Sequence, residues 1–250
     1  MFFRKKVIPE FDFSKIAIEM HNHILPGIDD GCDNVAESIE ILRLLEKLGY
    51  QKVIFTPHII TDLFNNTPDT INAAFKVLKD ALALETEPLQ LKMEVSAEYM
   101  ADDEVLERLM KRPPTLLNNS YLLMEFSLFQ APPNYKEIIF ELSLRGYKLI
   151  IAHPERYAYA ANNIDFFRDL IERGCILQLN INSVLGGYGK SAFKLAKELL
   201  KLELYELLGC DIHQVRHTKL LTDSKIKREL YKQLGEYPFK NKLLLGRVDR

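Results

Sequence analysis

Ile16-Ala17-Ile18-Glu19-Met20-His21-Asn22-His23-Ile24-Leu25-Pro26-Gly27-Ile28-Asp29-Asp30-Gly31 runs from a short apolar segment into two histidines and then a turn-rich acidic loop. Side chains alternate along a strand, so His21 and His23 leave it on the same side. Such a pair alone reads as readily as surface or capping histidines. What surrounds it decides the matter.

Outward from this stretch, short apolar runs recur at 52–55, 92–97, 121–125, 148–152, 176–180 and about 205–210, rich in Val, Ile, Leu and Tyr. They have the composition of strands buried on both faces. Helical spacing lies between them. Ile39, Leu42, Leu45 and Leu48 share a face that ends at Gly49, and Phe75, Leu78 and Leu82 repeat the pattern after Pro68. Further faces precede Gly146, Gly174 and Gly235, and Ala192, Leu195, Ala196, Leu199 and Leu200 form another. Strands alternating with helices, with no linker between, predict one α/β domain. No glycine-rich phosphate or dinucleotide fingerprint follows the first strand, and polar residues follow nearly every strand. A barrel is therefore preferred to an open doubly wound sheet.

Five of the six histidines sit just after an expected strand: His21, His23, His58, His153 and His213. Asp30, Glu98, Glu125 and Asp211 take the matching places. In a parallel barrel these ends converge on one face, where imidazoles and carboxylates together suit divalent metal. Each has a bland alternative. His58 reads as a loop histidine, Glu98 and Glu125 as partners of lysines, His153 as a cap for the segment beginning at Pro154, and Asp211 as a helix cap. The joint pattern favours metal.

The opening block, with Glu37-Ser38 after it, resembles the start of the PHP (polymerase and histidinol phosphatase) superfamily, in particular its bacterial protein-tyrosine-phosphatase branch of capsule and exopolysaccharide control. Thr56-Pro57-His58, Ala97-Glu98-Tyr99, Leu123-Met124-Glu125-Phe126, His153-Pro154-Glu155-Arg156-Tyr157 and Cys210-Asp211-Ile212-His213 follow in the same order. The likeness covers about residues 19–234; Glu19 departs from the aspartate usual before the histidine pair. It implies a distorted, TIM-like (β/α)7 PHP barrel over 15–250 preceded by an N-terminal extension over 1–14, with nine metal ligands, His21, His23, Asp30, His58, Glu98, Glu125, His153, Asp211 and His213. These would hold three divalent ions, manganese first, with iron or zinc as alternatives. It also implies a phosphotyrosine-bearing protein substrate, the tail of a bacterial tyrosine kinase governing polysaccharide export.

Arg156 and Arg216 are candidates to clamp phosphate through their planar donor forks, each with a surface salt bridge as the alternative. His217 is either a proton donor or a solvated side chain. A tyrosyl leaving group has a pKa near 10 and needs little protonation. Cys210 and Arg216 have the spacing of a cysteine-phosphatase loop, but the intervening residues lack glycine and include Asp211, which opposes both a thiolate and a bound phosphate.

The net charge of −2 counts against nucleic acid as partner, though a metal-dependent nuclease stays among the rivals, with a small-molecule phosphatase such as one for histidinol phosphate and a non-catalytic barrel. No apolar run approaches the ~20 residues of a transmembrane helix. Three scattered cysteines and the lack of a signal-peptide core predict a reducing, cytoplasmic address. Phe2, Phe3 and Arg4–Lys6 read as a frayed tail or as a weak membrane-surface contact.

Overall fold

The structure, a computed structural model, describes residues 7–246, so the Phe2–Lys6 expectation lies outside the described residues. Nine strands occur among them: β1 (Ile18–Glu19), β2 (Lys52–Phe55), β3 (His58–Ile59), β4 (Lys92–Val95), β5 (Glu98–Met100), β6 (Tyr121–Glu125), β7 (Lys148–Ala152), β8 (Ile176–Asn180) and β9 (Tyr205–Gly209). Helices α1 (Val35–Leu48), α2 (Pro68–Leu82), α3 (Val105–Lys111), α4 (Tyr135–Leu144), α5 (Ile164–Glu172), α6 (Ile181–Val184), α7 (Gly189–Lys201), α8 (Val215–Thr222), α9 (Ser224–Leu234) and α10 (Asn241–Leu245) lie between and after them.

Nine strands occupy the seven expected places because two places are interrupted. Thr56-Pro57 separates β2 from β3, and Ser96-Ala97 separates β4 from β5; β4 stops two residues short of the expected 92–97, and β3 and β5 lie just beyond the expected 52–55 and 92–97. Proline lacks the N–H a ladder needs, which suits it to such a break. Every strand pairing is parallel, in the orders β1-β2-β4 and β3-β5-β6-β7-β8-β9. The ring closes just past β1 and β9, where Asp211 N–H donates to His21 O at 2.7 Å and His23 N–H donates to Ile212 O at 2.8 Å.

Alternation sorts the core. Ile18, Met20, Ile54, Leu123, Ile150, Ala152 and Leu207 form one cluster, while their strand neighbours Val53, Phe55, Leu122, Met124, Leu149, Ile151 and Leu208 join the larger cluster with the helices. That two-sided burial is why the strands read as continuous apolar runs. Helix α1 ends where expected: Gly49 takes φ +101° and returns its N–H to Leu45 and Glu46. Phe11 and Phe13 are buried in the larger cluster, and Phe11 N–H donates to Lys227 O at 2.9 Å.

At the other end of the ring, Asn241 bridges β1 and β9. Its Nδ2 donates to Ile18 O (3.1 Å) and Leu208 O (2.7 Å), and its Oδ1 accepts from Leu208 N–H (3.0 Å). Asn241→Ala strands these buried backbone groups and is expected to cost about 3 kcal/mol in urea unfolding. A change below about 0.5 kcal/mol, the size of an ordinary surface substitution, would show that the seam does not depend on it.

Candidate metal centre

The chain returns the acidic loop to the histidine pair through a tight close. Cys32 N–H donates to His23 O at 3.0 Å, and a Cβ on Gly31 would lie 1.9 Å from that same oxygen, so only glycine fits. Asp29 Oδ2 thereby accepts from His23 Nδ1 (2.8 Å) and His58 N–H (3.0 Å), tying the first two strand ends together. Across the ring, Gln178 Oε1 faces His21 Nδ1 at 2.8 Å. With Nδ1 engaged, His21 and His23 both turn Nε2 inward.

All nine sequence-derived candidates meet. Four overlapping groups, His23–Asp30–His58–His213, His21–His23–Asp211, His21–Glu98–His153 and His58–Glu98–Glu125, each bring their ligand atoms within 4.8 Å of one another. Glu98 is the hub. Its Oε2 lies 3.1 Å from His21 Nε2, 3.4 Å from His23 Nε2 and 3.2 Å from His58 Nδ1, and its Oε1 lies 3.3 Å from His153 Nε2. Yet both Glu98 oxygens, with His21 Nε2, His23 Nε2 and His58 Nδ1, are buried without a hydrogen-bond partner. Buried polar atoms are rarely left so, and a cation among them supplies what they lack. Imidazoles held at the second nitrogen by a carboxylate or amide are the usual arrangement of metal-binding histidines. The donor set therefore fits divalent metal.

The bland alternatives do not hold. His153 makes no capping hydrogen bond to the turn at Pro154–Arg156, and helix α8 begins after Gln214 rather than after Asp211. His153 and Asp211 instead take left-handed backbone conformations, φ 34° and 51°, which place their side chains at the site at a cost in strain. Among the described residues, the ion-pair neighbours of Glu98 and Glu125 are histidines, with no lysine.

Burial opposes charge on His21, but Glu98 and Asp211 outweigh it and raise its pKa to about 9. Burial likewise opposes ionisation of Glu98 and Asp211, and their histidine neighbours still hold both well below the usual carboxylate range. Asp30 is held near 2 by His213. Without metal, the centre is a knot of paired charges.

Asp211 divides its oxygens. Oδ1 faces His21 and His23 at 3.5 and 3.3 Å, while Oδ2 accepts from Arg156 Nη1 (3.0 Å), Asn180 Nδ2 (2.8 Å) and Tyr188 Oη (3.2 Å). Arg156 also lies over the Tyr188 ring, 4.2 Å from its centroid. A cleft of about 420 Å3 opens over the centre, with Asp30, Arg156, Tyr188, His213 and His217 among its lining. Arg216 is exposed on α8 and is not part of that lining. His217 Nδ1 accepts from His213 N–H at 3.5 Å, and burial beside His213 lowers its pKa. Cys210 lies outside the cleft, buried against Tyr50 Oη at 3.2 Å, and burial with Glu19 nearby lifts its thiol pKa far above the ordinary value. That is the environment of an inert thiol.

Asp29, Gln178, Asn180 and Tyr188 were not singled out from sequence. Asp29 adjoins Asp30 in the opening block, and Gln178 is a polar residue inside an apolar strand; both are signals. For Tyr188 we find none.

Parallel α/β sheets with interlocked histidine and carboxylate groups at their C-terminal strand ends fit a metal-dependent hydrolase. A family model for capsular polysaccharide synthesis, CpsB/CapC, matches residues 17–244, and the chain belongs to that family. It is 31% identical over 224 residues to the tyrosine-protein phosphatase YwqE of Bacillus subtilis strain 168, covering 89% of this chain and 87% of the relative. To the tyrosine-protein phosphatase CpsB of Streptococcus pneumoniae it is 29% identical over 207 residues, 79% of this chain and 83% of the relative. A crystal structure from work on those two proteins, described as unique metal-dependent tyrosine phosphatases, superposes with a TM-score of 0.78 at 29% identity, covering 92% of this chain and 91% of that one. Histidinol phosphate phosphatase from Lactococcus lactis shares the fold at a TM-score of 0.58 and 12% identity, over 89% of this chain and 94% of that one.

Proposed function

We propose that this protein is a metal-dependent tyrosine-protein phosphatase, acting on the phosphotyrosyl tail of a bacterial kinase of capsule or exopolysaccharide synthesis. The observation that carries the reading is Glu98, fully buried and without a hydrogen bond among four imidazole nitrogens, in a chain of this family. The nine clustered residues are assigned as ligands of three divalent ions, manganese first and iron or zinc as alternatives. Residues 15–250 are assigned as the catalytic unit and a cytoplasmic address belongs to the same proposal. Among the described residues no helix is long and apolar enough to cross a membrane.

Divalent ions bound there supply neutralising charge for phosphoryl oxygens and lower the pKa of water. The chain does the positioning. Asp29 and Gln178 keep the Nε2 atoms of His23 and His21 turned inward. Arg156, anchored by one nitrogen to Asp211 and laid flat on Tyr188, offers its remaining donors to phosphate. Arg216, the second sequence candidate for that clamp, is exposed on α8 outside the cleft lining and is not assigned to it. His217, neutral with Nδ1 accepting, has an Nε2–H to donate toward the leaving phenolate, which needs only a hydrogen bond.

Hydrolysis of a phosphotyrosyl peptide and of histidinol phosphate, with manganese and with chelator, tests this. Peptide turnover is expected to require metal and to survive Cys210→Ser within about twofold, since a buried protonated thiol contributes no nucleophile. Turnover indifferent to chelator and lost in Cys210→Ser would overturn the mechanism, and turnover of histidinol phosphate alone would overturn the substrate.

A further inference from the structure

The cleft is lined by candidate ligands and, together with them, by a group of apolar side chains. Leu63 and Phe64 come from the loop after β3, Met100 from the end of β5, and Leu128 and Phe129 from the loop after β6. Leu63 is 66% exposed and Phe129 is 92% exposed, so two large apolar side chains stand in water at the mouth of the site. The Phe64 ring lies nearly parallel to that of His58, 9° apart with centroids at 5.6 Å, which carries the apolar wall down to the candidate ligands. Arg156 on the Tyr188 ring stands in the same cleft as the charged element.

From this lining we infer that Leu63, Phe64, Leu128 and Phe129 form an aryl slot that holds the tyrosyl ring of the substrate and selects aryl over alkyl phosphate monoesters. The inference rests on the phosphatase reading above. Its occupant follows from continuity with the catalytic cleft. Glu98 and His21 are wholly buried, whereas Leu63 and Phe129 are exposed in the lining of the same cleft, so a substrate whose phosphate reaches the centre also meets apolar side chains. In an aryl ester the ring begins one oxygen from phosphorus and is flat and stiff, which suits it to lie against Phe64. A seryl ester has a single methylene there. It would leave the apolar side chains bare and draw its own peptide groups down among them, which costs desolvation without new hydrogen bonds.

The test uses the full-length, manganese-loaded protein and the variants Leu63→Ser, Phe129→Ser and their combination. Both side chains are exposed, so thermal melts are expected to match the parent. kcat/KM is measured for a phosphotyrosyl peptide, the phosphoseryl peptide of the same sequence, phenyl phosphate and glycerol phosphate. Competitive inhibition by phenylphosphonate against methylphosphonate reads the same contact without turnover. The double variant is expected to lower the aryl-to-alkyl ratio about tenfold in both measurements, the size expected for losing apolar contact at a binding site. Equal losses on aryl and alkyl compounds, or no change in the ratio, would overturn the slot while peptide turnover by the parent kept the phosphatase reading intact. A fall in rate that tracks dissociation of an oligomer in sedimentation would assign the patch to a second copy of the chain instead. Absence of aryl turnover in the parent would overturn both.

Discussion

Glu98→Gln is expected to lower metal-dependent hydrolysis about a thousandfold while leaving the barrel folded, the loss of roughly 4 kcal/mol of transition-state stabilisation. The substitution keeps the shape of the side chain, so far-UV circular dichroism should be unchanged. What it removes is the charge shared by two of the four ligand groups. It also turns an amide N–H2, a donor, toward imidazole nitrogens that lie 3.1–3.4 Å from the carboxylate oxygens. A donor cannot serve as a ligand, and the centre loses the one residue common to His21, His58, His153 and Glu125. Metal content measured by plasma emission should fall with activity. Full metal content at full activity would remove Glu98 from the centre.

The parts of this architecture that were legible in the sequence share a local cause. Strands buried on both faces must be apolar throughout, so the seven places, apart from β4 with its exposed Lys92 and half-buried Glu94, stand out as runs, and the histidines and carboxylates stand out where those runs stop. The interruptions at Thr56-Pro57 and Ser96-Ala97 were not legible. The pieces they leave, β3 and β5, are two and three residues long, and only their neighbours define them as strands. The left-handed conformations of His153 and Asp211 carry no signature in residue type, since tertiary context imposes them. Asn241 stitches a seam 223 residues away from Ile18, which no local pattern can announce. Arg216 illustrates the converse. Its planar donor fork suits phosphate, but the chain sets it on α8 with its side chain exposed outside the cleft lining. Leu63 and Phe129 read as ordinary core residues in composition; only the fold leaves them at the cleft mouth.

Stripped of metal, the protein is expected to lose about 3 kcal/mol of stability as pH rises from 6.5 through 9. The pKa of His21 in the folded chain is raised from 6.5 to about 9 by Glu98 and Asp211 against the opposing effect of burial. A raised histidine pKa stabilises the fold fully below the unfolded value and ceases to do so once pH passes the folded value. The carboxylates act at the other limit: Glu98 and Asp211, depressed by the same histidines, contribute above the ordinary carboxylate range and lose that contribution in acid. The metal-free protein should therefore be most stable between about pH 5 and 6.5, with its melting temperature falling by about 6–12 °C on the alkaline side. Metal reverses the sign. Ligation needs neutral imidazoles, so loading expels the protons that stabilise the empty centre, and affinity grows over the same interval. Melts from pH 6 to 9, with chelator and with saturating manganese, should show the gap between the two curves widening as pH rises. A chelated melting temperature that stays flat across that interval would mean that His21 is neutral without metal. Glu98 would then hold its negative charge in a buried pocket without the His21 cation to oppose it, and the paired-charge description of the metal-free centre would have to be abandoned.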